Sequence, residues 1–328
     1  MKNWLKILLA LVALLVWVVG WVVHDLRRAF REPALAGRLL RATVSAAQRQ
    51  RTFSIYVPAS VGATPPVIFV LHGSYGDGRQ MRKTSHFQFD LLADREGLIV
   101  VYPDGYGNFW NDCRRSADFA SNVENIDDPA FFRAMVADLV ERFHADATRV
   151  YALGVSNGGH MVYRLAMEMP ETFAALAAVA ANLPVAANLD CRPSGRPVSI
   201  AILNGTDDPI NPYLGGLVKL FGNTSRGVVR STAESAAYWT ALAGAAAPPA
   251  VQRLPESDGD PKTWIERRTW RGRDGVEVRL YTLHGSGHVL PSRTGSILEL
   301  ALGGAATDLD AAPELWAFFS AHRTAPER

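Results

Sequence analysis

The sequence contains few cysteines, only Cys113 and Cys191 in 328 residues. Two thiols allow one disulfide at most. In a cytosolic protein two buried free thiols are the more common arrangement. In an exported domain a bridge is favoured, and it would stabilise the fold by ~4 kcal/mol in the chain-entropy model. The interpretation of the two cysteines therefore depends on the compartment.

An excess of basic residues is also missing. The formal net charge is +2, and Lys and Arg are scattered without forming a basic stripe with interleaved aromatic residues. A nucleic-acid partner is therefore not expected. The His, Asp and Glu positions show no metal-ligand spacing, so neither a metal nor another cofactor is expected. With 48% hydrophobic and 20% charged residues, the chain can bury a sizeable core.

The N-terminus carries one long apolar run, ILLALVALLVWVVGWVV at residues 7–23. It is longer than the ~7–15 residues typical of a signal peptide, and it ends without the small residues of a cleavage site. Because about 17–25 apolar residues span a bilayer, a retained membrane anchor is favoured, with a cleaved signal peptide as the alternative. Basic residues flank the run on both sides, so charge alone does not select an orientation. We expect an exported domain, periplasmic or extracellular, that is membrane-anchored or, after cleavage, secreted.

Four apolar runs downstream end in polar or glycine-rich turns, as strands covered on both faces of a parallel sheet do. A helical pattern lies between two of them, at residues 127–143, with Asp128 as the expected cap before Pro129. This alternation predicts a doubly wound, mostly parallel sheet, whose functional groups gather at the carboxyl ends of the strands. The four runs are residues 65–73, 97–105, 149–159 and 198–208.

The expected organisation has three parts. Residues 1–25 form the anchor or signal peptide, residues 26–48 a polar connector, and residues 49–323 a single α/β domain. Within that domain, residues 214–263 break the strand and helix rhythm. We interpret them as an excursion from the domain and not as a second one.

The stretch RVYALGVSNGGHM, residues 149–161, contains the pattern G-x-S-x-G with Ser156 at its centre. An apolar strand precedes the pattern and a helical segment follows it, which is the arrangement of a nucleophile elbow. The glycines permit a turn that is too sharp for side chains. The alternative is an incidental serine in a glycine-rich turn.

A serine hydroxyl needs a histidine to accept its proton and a carboxylate to orient that histidine. Both candidates lie downstream in the expected order. One strand ends in adjacent carboxylates, Asp207 and Asp208, and a later one supplies His284 and His288. We favour His288 because it follows a flexible Gly-Ser-Gly segment, whereas His284 lies close to the strand.

The oxyanion of an acyl transfer needs two backbone N–H donors. Asn157, the residue after the serine, is one candidate, and Ser74 in LHGSYGDG is preferred over Tyr75 as the other. A substrate pocket is less well indicated by the sequence. The residues suggested for its lining are Tyr75, Trp110, Asn111 and Tyr213.

Over residues 52–320 the sequence resembles the polyhydroxybutyrate depolymerase and feruloyl esterase branch of the α/β-hydrolases. The resemblance rests on VLHGSYGDG, VYPDGYGNFWNDC, RVYALGVSNGGHMVYRLA, NGTDDPINPY and GSGH. It implies an α/β-hydrolase fold and a serine esterase without a cofactor. In the family pattern the acid is Asp208 and not Asp207, and the base is His288. Cysteines are frequent in the loops that match Cys113 and Cys191, which implies a disulfide here.

Two departures from the family pattern lie near the expected site. Relatives usually have Trp-Pro after the catalytic histidine, where this chain has Val289-Leu290-Pro291, and they often have Cys at the position of Ser74. The expected substrate is therefore a small or oligomeric ester of feruloyl, acetyl or hydroxyalkanoate type, with no single ester selected. A serine peptidase of the same fold and a non-catalytic, membrane-tethered binding protein are the alternatives. The oligomeric state is not indicated.

Overall fold

The computed structural model describes residues 2–257 and 259–325. Its first element is a long helix, α1 (Lys2–Ala29), whose apolar side chains are exposed. The most apolar 18-residue window of the part from Lys6 to Ala29 has a mean hydropathy of 2.6, and none of that window is buried. By length and composition it is able to cross a membrane, a criterion that a signal sequence also meets.

Within the described residues, ten strands form one mixed sheet and two short strands, β8 and β9, form a separate ribbon. The spatial order in the large sheet is β1-β2-β4-β3-β5-β6-β7-β12-β11-β10. The strands are β1 (Arg38–Ala46), β2 (Arg49–Val57), β3 (Val67–Leu71), β4 (Ile99–Pro103), β5 (Val150–Val155), β6 (Ala175–Val179), β7 (Ser199–Gly205), β8 (Gly216–Leu217), β9 (Val228–Val229), β10 (Ala250–Arg253), β11 (Trp264–Arg271) and β12 (Glu277–His284).

The central strands, from β4 through β12 in the spatial order, pair in parallel, and both margins of the sheet are antiparallel. The predicted doubly wound, mostly parallel sheet is therefore confirmed. Helices cover both of its faces. The remaining helices are α2 (Gly78–Thr84), α3 (Gln88–Glu96), α4 (Ala120–Val123), α5 (Asp128–Phe143), α6 (Asn157–Glu168), α7 (Thr232–Leu242), α8 (Ile297–Leu300) and α9 (Ala311–Phe319), with 3₁₀ turns at Ala186–Asn188 and Arg273–Gly275.

Strand β3 shows why the central strands are apolar throughout. Val67, Phe69 and Leu71 enter the core that includes residues of α5, α6 and α7. The alternate residues Ile68 and Val70 enter the opposite core, which includes residues of α2, α3 and α9. Because successive side chains of a strand point to opposite faces, a strand between two helical layers needs apolar residues at every position.

The prediction of a connector at residues 26–48 is wrong for residues 38–46. Residues Arg38–Ala46 form β1, which pairs with β2 in a continuous antiparallel register from Arg38 and Val57 to Ala46 and Arg49. Most of β1 is exposed, with only two of its residues buried. Its polar composition indicated a connector, whereas it is the edge strand of the sheet. The sheet thus begins at residue 38 and not near residue 49.

The expected cap of α5 is shifted by one residue. The Asp127 side chain accepts a hydrogen bond from the Ala130 N–H at 2.8 Å, so Asp127 is the N-cap. Asp128 is fully buried and forms an ion pair with Arg51 at 2.8 Å. This pair joins the start of α5 to β2, because a buried carboxylate requires a partner.

The two cysteines form the implied disulfide, with a Cα–Cα distance of 4.9 Å between Cys113 and Cys191. The bridge ties the loop after β4 to the segment before β7, across 78 residues of sequence. A disulfide and an N-terminal apolar helix are together consistent with export.

Candidate active site

Three of the predicted site residues follow parallel strands at the carboxyl edge of the sheet. Ser156 comes directly after β5, Asp208 lies just beyond β7, and His288 lies beyond β12. The strands β5 and β7 are separated only by β6, and β12 lies next to β7. Ser156 and His288 line a common cavity of about 430 Å³. The topology therefore brings residues that are far apart in sequence to one edge.

Ser156 occupies a strained turn between β5 and α6. Its backbone has φ 57° and ψ −117°, a left-handed value of φ that a residue with a side chain seldom adopts. The turn is also crowded, because a Cβ at Gly154 would lie 2.2 Å from the Gly158 carbonyl oxygen. A Cβ at Gly158 would lie 2.6 Å from the His72 carbonyl oxygen. Only glycine fits either position, which is the reason for the glycines of the motif.

His288 and Asp208 form a direct contact, with 2.7 Å between His288 Nδ1 and Asp208 Oδ2. The other oxygen of Asp208 accepts hydrogen bonds from the N–H groups of Ile210 and Asn211, both at 2.8 Å. The carboxylate is therefore held in place by the backbone of its own loop. With Nδ1–H donated to Asp208, the second ring nitrogen of His288 is the one available for proton transfer.

The rival acid and base are placed elsewhere. Asp207 is exposed and accepts a hydrogen bond from the Thr206 hydroxyl at 2.8 Å. His284 stacks on Trp264 with 3.6 Å between the ring centroids, and burial lowers its pKa. Neither side chain contacts His288 in the part of the chain that is described.

The two candidate oxyanion donors are the backbone N–H groups of Ser74 and Asn157, and neither is paired with another described residue. The Tyr75 N–H donates to the Asn108 carbonyl oxygen at 3.0 Å, so this alternative is already used. The Ser74 N–H has no acceptor among the described residues, and Ser74 lines the cavity. Asn157 is the first residue of α6, and an N–H in the first turn of a helix has no acceptor within the helix.

The side chain of Asn157 has a role that the sequence did not indicate. Its Oδ1 accepts from the Trp110 N–H at 2.8 Å, and its Nδ2 donates to Asp112 Oδ2 at 2.6 Å. Trp110 in turn donates its indole N–H to the His72 carbonyl oxygen at 2.9 Å. These buried contacts fasten the turn of Ser156 to the loop that carries Ser74.

His72, the histidine before Gly73, also supports this loop. Its Nδ1 lies 2.7 Å from the Gly73 carbonyl oxygen, and its Nε2 lies 2.9 Å from the Gly105 nitrogen. This pairing fits a neutral ring that donates through Nδ1 and accepts at Nε2. Burial lowers the pKa of His72, which favours the same neutral form.

Three of the four residues suggested for the pocket do not line the cavity. Trp110 is fully buried behind the serine turn, and Asn111 donates to the Ile126 carbonyl oxygen at 2.8 Å. The Tyr213 hydroxyl is paired with Thr282 Oγ1 at 2.8 Å. Their side chains are used within the scaffold and are not available as a wall. Tyr75 does line the cavity and is 59% exposed.

The cavity wall is largely apolar, and part of it comes from segments outside the recognised motifs. Phe30 belongs to the expected connector, Phe221 to the excursion, and Leu302 to the region after His288. Their positions follow only from how the loops fold over the sheet edge. Among the described lining residues, the larger apolar ones are Phe30, Met81, Ile210, Leu220, Phe221, Leu290 and Leu302.

Several known proteins are similar to this chain. Residues 51–187 match the family model described as "Esterase PHB depolymerase". This match covers less than half of the chain, and over that segment the chain is similar to esterases of the family. A solved structure, the acetyl xylan esterase from Aspergillus awamori, superposes with a TM-score of 0.55 over 87% of this chain and 100% of the other at 18% identity. That likeness shows the fold of the esterase domain.

Two sequence relatives extend the match. The protein named "Putative esterase NocK" of Nocardia uniformis is 29% identical over 273 residues, which is 80% of this chain and 77% of the relative. Feruloyl esterase B of Neurospora crassa is 36% identical over 124 residues, which is 38% of this chain and 41% of that protein. This chain therefore matches less than half of the length of the fungal relative. The matched family model and both relatives carry the name esterase.

Proposed function

We propose that the protein hydrolyses carboxylic esters with Ser156 as nucleophile, His288 as general base and Asp208 as the group that orients His288. The observation that carries this proposal is the 2.7 Å contact between His288 Nδ1 and Asp208 Oδ2 beside the cavity that Ser156 also lines. The Ser156 hydroxyl, unlike its backbone groups, forms no hydrogen bond with any described residue and is free to turn towards His288. Hydrogen bonds between catalytic groups often tighten only when substrate is bound.

In the proposed reaction, His288 accepts the Ser156 proton while the serine oxygen attacks the ester carbonyl carbon. The N–H groups of Ser74 and Asn157 bind the resulting oxyanion. Collapse of this intermediate breaks the C–O bond, and His288 returns the proton to the leaving alcohol. Water then attacks the acyl-enzyme in the same way and releases the acid, with Ser156 regenerated.

The labelling of the serine by a fluorophosphonate tests the mechanism. We expect the wild type to be labelled and Ser156→Ala to be unreactive, since the reagent needs an activated serine. Ser60→Ala, which alters an exposed serine away from the cavity, is the matched control and should label normally. Equal labelling of wild type and Ser156→Ala would refute the assignment. No labelling of the wild type would favour a non-catalytic binding protein.

The substrate is proposed to be a feruloyl, acetyl or hydroxyalkanoate type ester, because relatives are named for feruloyl and acetylxylan esterases. The apolar wall of the cavity favours an acyl group with little polarity. A panel of short acyl, feruloyl, acetyl-xylan and hydroxybutyrate esters measures this preference. Hydrolysis of aminoacyl anilides at rates equal to the esters would favour a peptidase instead.

The site of action is proposed to be the exported side of a membrane, with residues 7–23 retained as an anchor. The support is an apolar helix with exposed side chains, together with a disulfide between Cys113 and Cys191. Fractionation of cells that express the full chain tests the anchor. Recovery of the mature protein without residues 7–23 in the soluble exported fraction would show that the segment is cleaved.

A further inference from the structure

The apolar helix continues without a break to the wall of the cavity. Helix α1 extends to Ala29, and the next residue, Phe30, lines the cavity. Phe30 lies seven residues after Val23, the end of the apolar run. At 1.5 Å per residue of helix this is about 10 Å. The headgroup region of one leaflet is roughly 5–8 Å thick, so an anchored α1 would hold this wall close to the membrane surface.

Several contacts fix the end of α1 to the catalytic domain. The Ile297 N–H, at the start of α8, donates to Asp25 Oδ2 at 2.9 Å. His86 Nδ1 lies 2.9 Å from the Ala29 carbonyl oxygen, and the Phe30 ring stacks on His86 with 5.6 Å between centroids. The domain therefore has a defined orientation relative to the helix and is not joined to it by a free linker.

Two ion pairs of Arg82 strengthen this attachment. Arg82 is buried and bonds to the Glu32 carboxylate at 2.5 Å and to the buried Asp90 carboxylate at 2.5 Å. Glu32 lies just beyond α1, whereas Arg82 and Asp90 belong to α2 and α3. A buried guanidinium between two carboxylates holds the segment after α1 in one geometry relative to α2 and α3.

The segment that contacts α1 also contacts the candidate base. The His288 N–H donates to the Leu302 carbonyl oxygen at 2.7 Å, and the Gly287 N–H donates to the Gly304 carbonyl oxygen at 3.0 Å. A Cβ at Gly287 would lie 1.8 Å from the Leu302 carbonyl oxygen, so the two segments pack without a gap. Helix α1, the segment that begins with α8 and the His288 loop therefore form one packed unit.

The surface beside this unit has the composition of a membrane interface. Phe221 lines the cavity and is 94% exposed, and Leu300 on α8 is 71% exposed. Large exposed apolar side chains are unfavourable in water but favourable where they enter a lipid interface. Basic residues that attract anionic headgroups are exposed along the end of α1; they are Arg27, Arg28 and Arg31.

From these contacts we propose that the cavity opens onto the surface of the membrane that holds α1, and that the substrate is an ester carried in that membrane. The acyl chain of such an ester would pass from the lipid into the apolar cavity beside Phe30 and Phe221, which brings its carbonyl to Ser156. The inference rests on the proposed ester hydrolysis at Ser156 and on retention of the anchor, and it selects a membrane-embedded ester in place of feruloyl, acetyl or hydroxyalkanoate esters. It adds the source of the substrate, because water-soluble and polymeric esters do not require this arrangement.

The test uses the full chain reconstituted in nanodiscs. A long-chain fluorogenic diacylglycerol analogue is placed either in the same nanodisc as the enzyme or in separate vesicles, and 4-nitrophenyl acetate serves as the soluble ester. We expect hydrolysis in the same bilayer to be at least ~10-fold faster than across separate bilayers. Equal rates, or no hydrolysis of the embedded ester while the soluble ester is cleaved, would overturn the inference.

A flexible insertion distinguishes an effect of the domain's fixed orientation from an effect of tethering alone. Twenty Gly and Ser residues inserted between His24 and Asp25 keep the anchor and the Asp25 contact. They would place the domain about 25 Å from the bilayer on average. We expect the rate on the embedded ester to fall severalfold while the soluble ester is cleaved as before. An unchanged rate on the embedded ester would show that tethering alone is sufficient and that the fixed orientation has no role.

Substitutions at the surface provide a matched pair. Phe221→Ser should lower the rate on the embedded ester severalfold more than the rate on the soluble ester. Val123→Ser, which alters an exposed apolar residue outside the cavity wall, should change neither. Equal effects of the two substitutions would contradict the inference. Loss of soluble-ester hydrolysis in Ser156→Ala reports separately on the proposed function, so the two failures can be distinguished.

Discussion

The two sides of the candidate site are built in different ways. Behind Ser156, the buried Asn157 side chain bonds to the Trp110 backbone N–H and to the Asp112 carboxylate, and the Trp110 indole donates to the His72 carbonyl oxygen, at 2.6–2.9 Å. The outer side is an apolar wall, with Phe221 almost fully exposed. Buried polar networks hold one geometry, whereas exposed apolar residues adapt to what binds them. The inner side thus suits the chemistry, and the outer side suits the choice of substrate.

The largest expected effect concerns the acid of the inner side. Asp208→Asn should lower kcat by about 10⁴-fold, because an amide does not hold His288 in the required tautomer. The adjacent Asp207→Asn is the control and should alter kcat less than about twofold, since Asp207 is exposed and does not contact His288. Steady-state kinetics on a short ester measures both variants. A comparable loss in Asp207→Asn would reverse the assignment of the acid.

A smaller effect on kcat is expected when the hydrogen bonds of the Asn157 side chain are removed. Asn157→Ala removes the partners of the buried Trp110 N–H and of Asp112, and we expect a loss of about 1–3 kcal/mol in the free energy of unfolding. We also expect kcat to fall by much less than in Asp208→Asn, since the backbone N–H of residue 157 remains. Thermal unfolding and kinetics measure the two effects.

Asn223→Ala, at an exposed position, is the control for this change and should leave both quantities nearly unchanged. An Asn157→Ala variant as stable as the wild type would show that the network does not hold the turn. The sequence alone suggested that only the backbone of Asn157 matters. The structure adds a role for its side chain.

The smallest effect is expected on the outer side, where His86 contacts the end of α1. Burial disfavours the charged ring of His86, but the Glu299 carboxylate, the Ala29 carbonyl and, more weakly, Asp310 outweigh it and raise its pKa. A raised pKa in the folded state means that the stabilisation is complete at pH values below the ordinary pKa and is lost as the pH rises through the folded-state value. We therefore expect the attachment of Ala29 and Phe30 to weaken at alkaline pH.

Hydrogen exchange at the amides of residues 29–31, corrected for intrinsic rates, measures this attachment at acidic and alkaline pH. The wild type should exchange severalfold faster at alkaline pH than at acidic pH. His86→Gln should show little difference between the two, because glutamine does not titrate in this range. The same pH dependence in both proteins would assign it to another group.

Some parts of the structure were predicted correctly from sequence patterns alone. Ser156, its flanking strand β5 and its helix α6 are adjacent in sequence, so local periodicity and the glycines predicted their arrangement. The buried strands β3, β4, β5 and β7 were also predicted, because two covered faces require continuous apolar residues, whereas the equally buried β6 was not. Strand β1 was missed, since an exposed edge strand has no such requirement.

The cavity wall could not be predicted in the same way. Trp110 and Asn111 were suggested for it from their position near a motif, but both are buried in the scaffold. Phe30 and Phe221, which do line the cavity, lie in segments with no recognisable pattern. Which side of a loop faces a cavity depends on distant packing partners, and no local signal records them.

The sequence by itself determined four central strands and the turn at Ser156, because these depend on interactions between near neighbours. Only the tertiary structure placed Asp208 against His288, 80 residues later, and brought the end of α1 to the same cavity. The physical reason is that the sheet order and the loop packing set these distances. Both result from burial of apolar surface over the whole domain and are not encoded in any single segment.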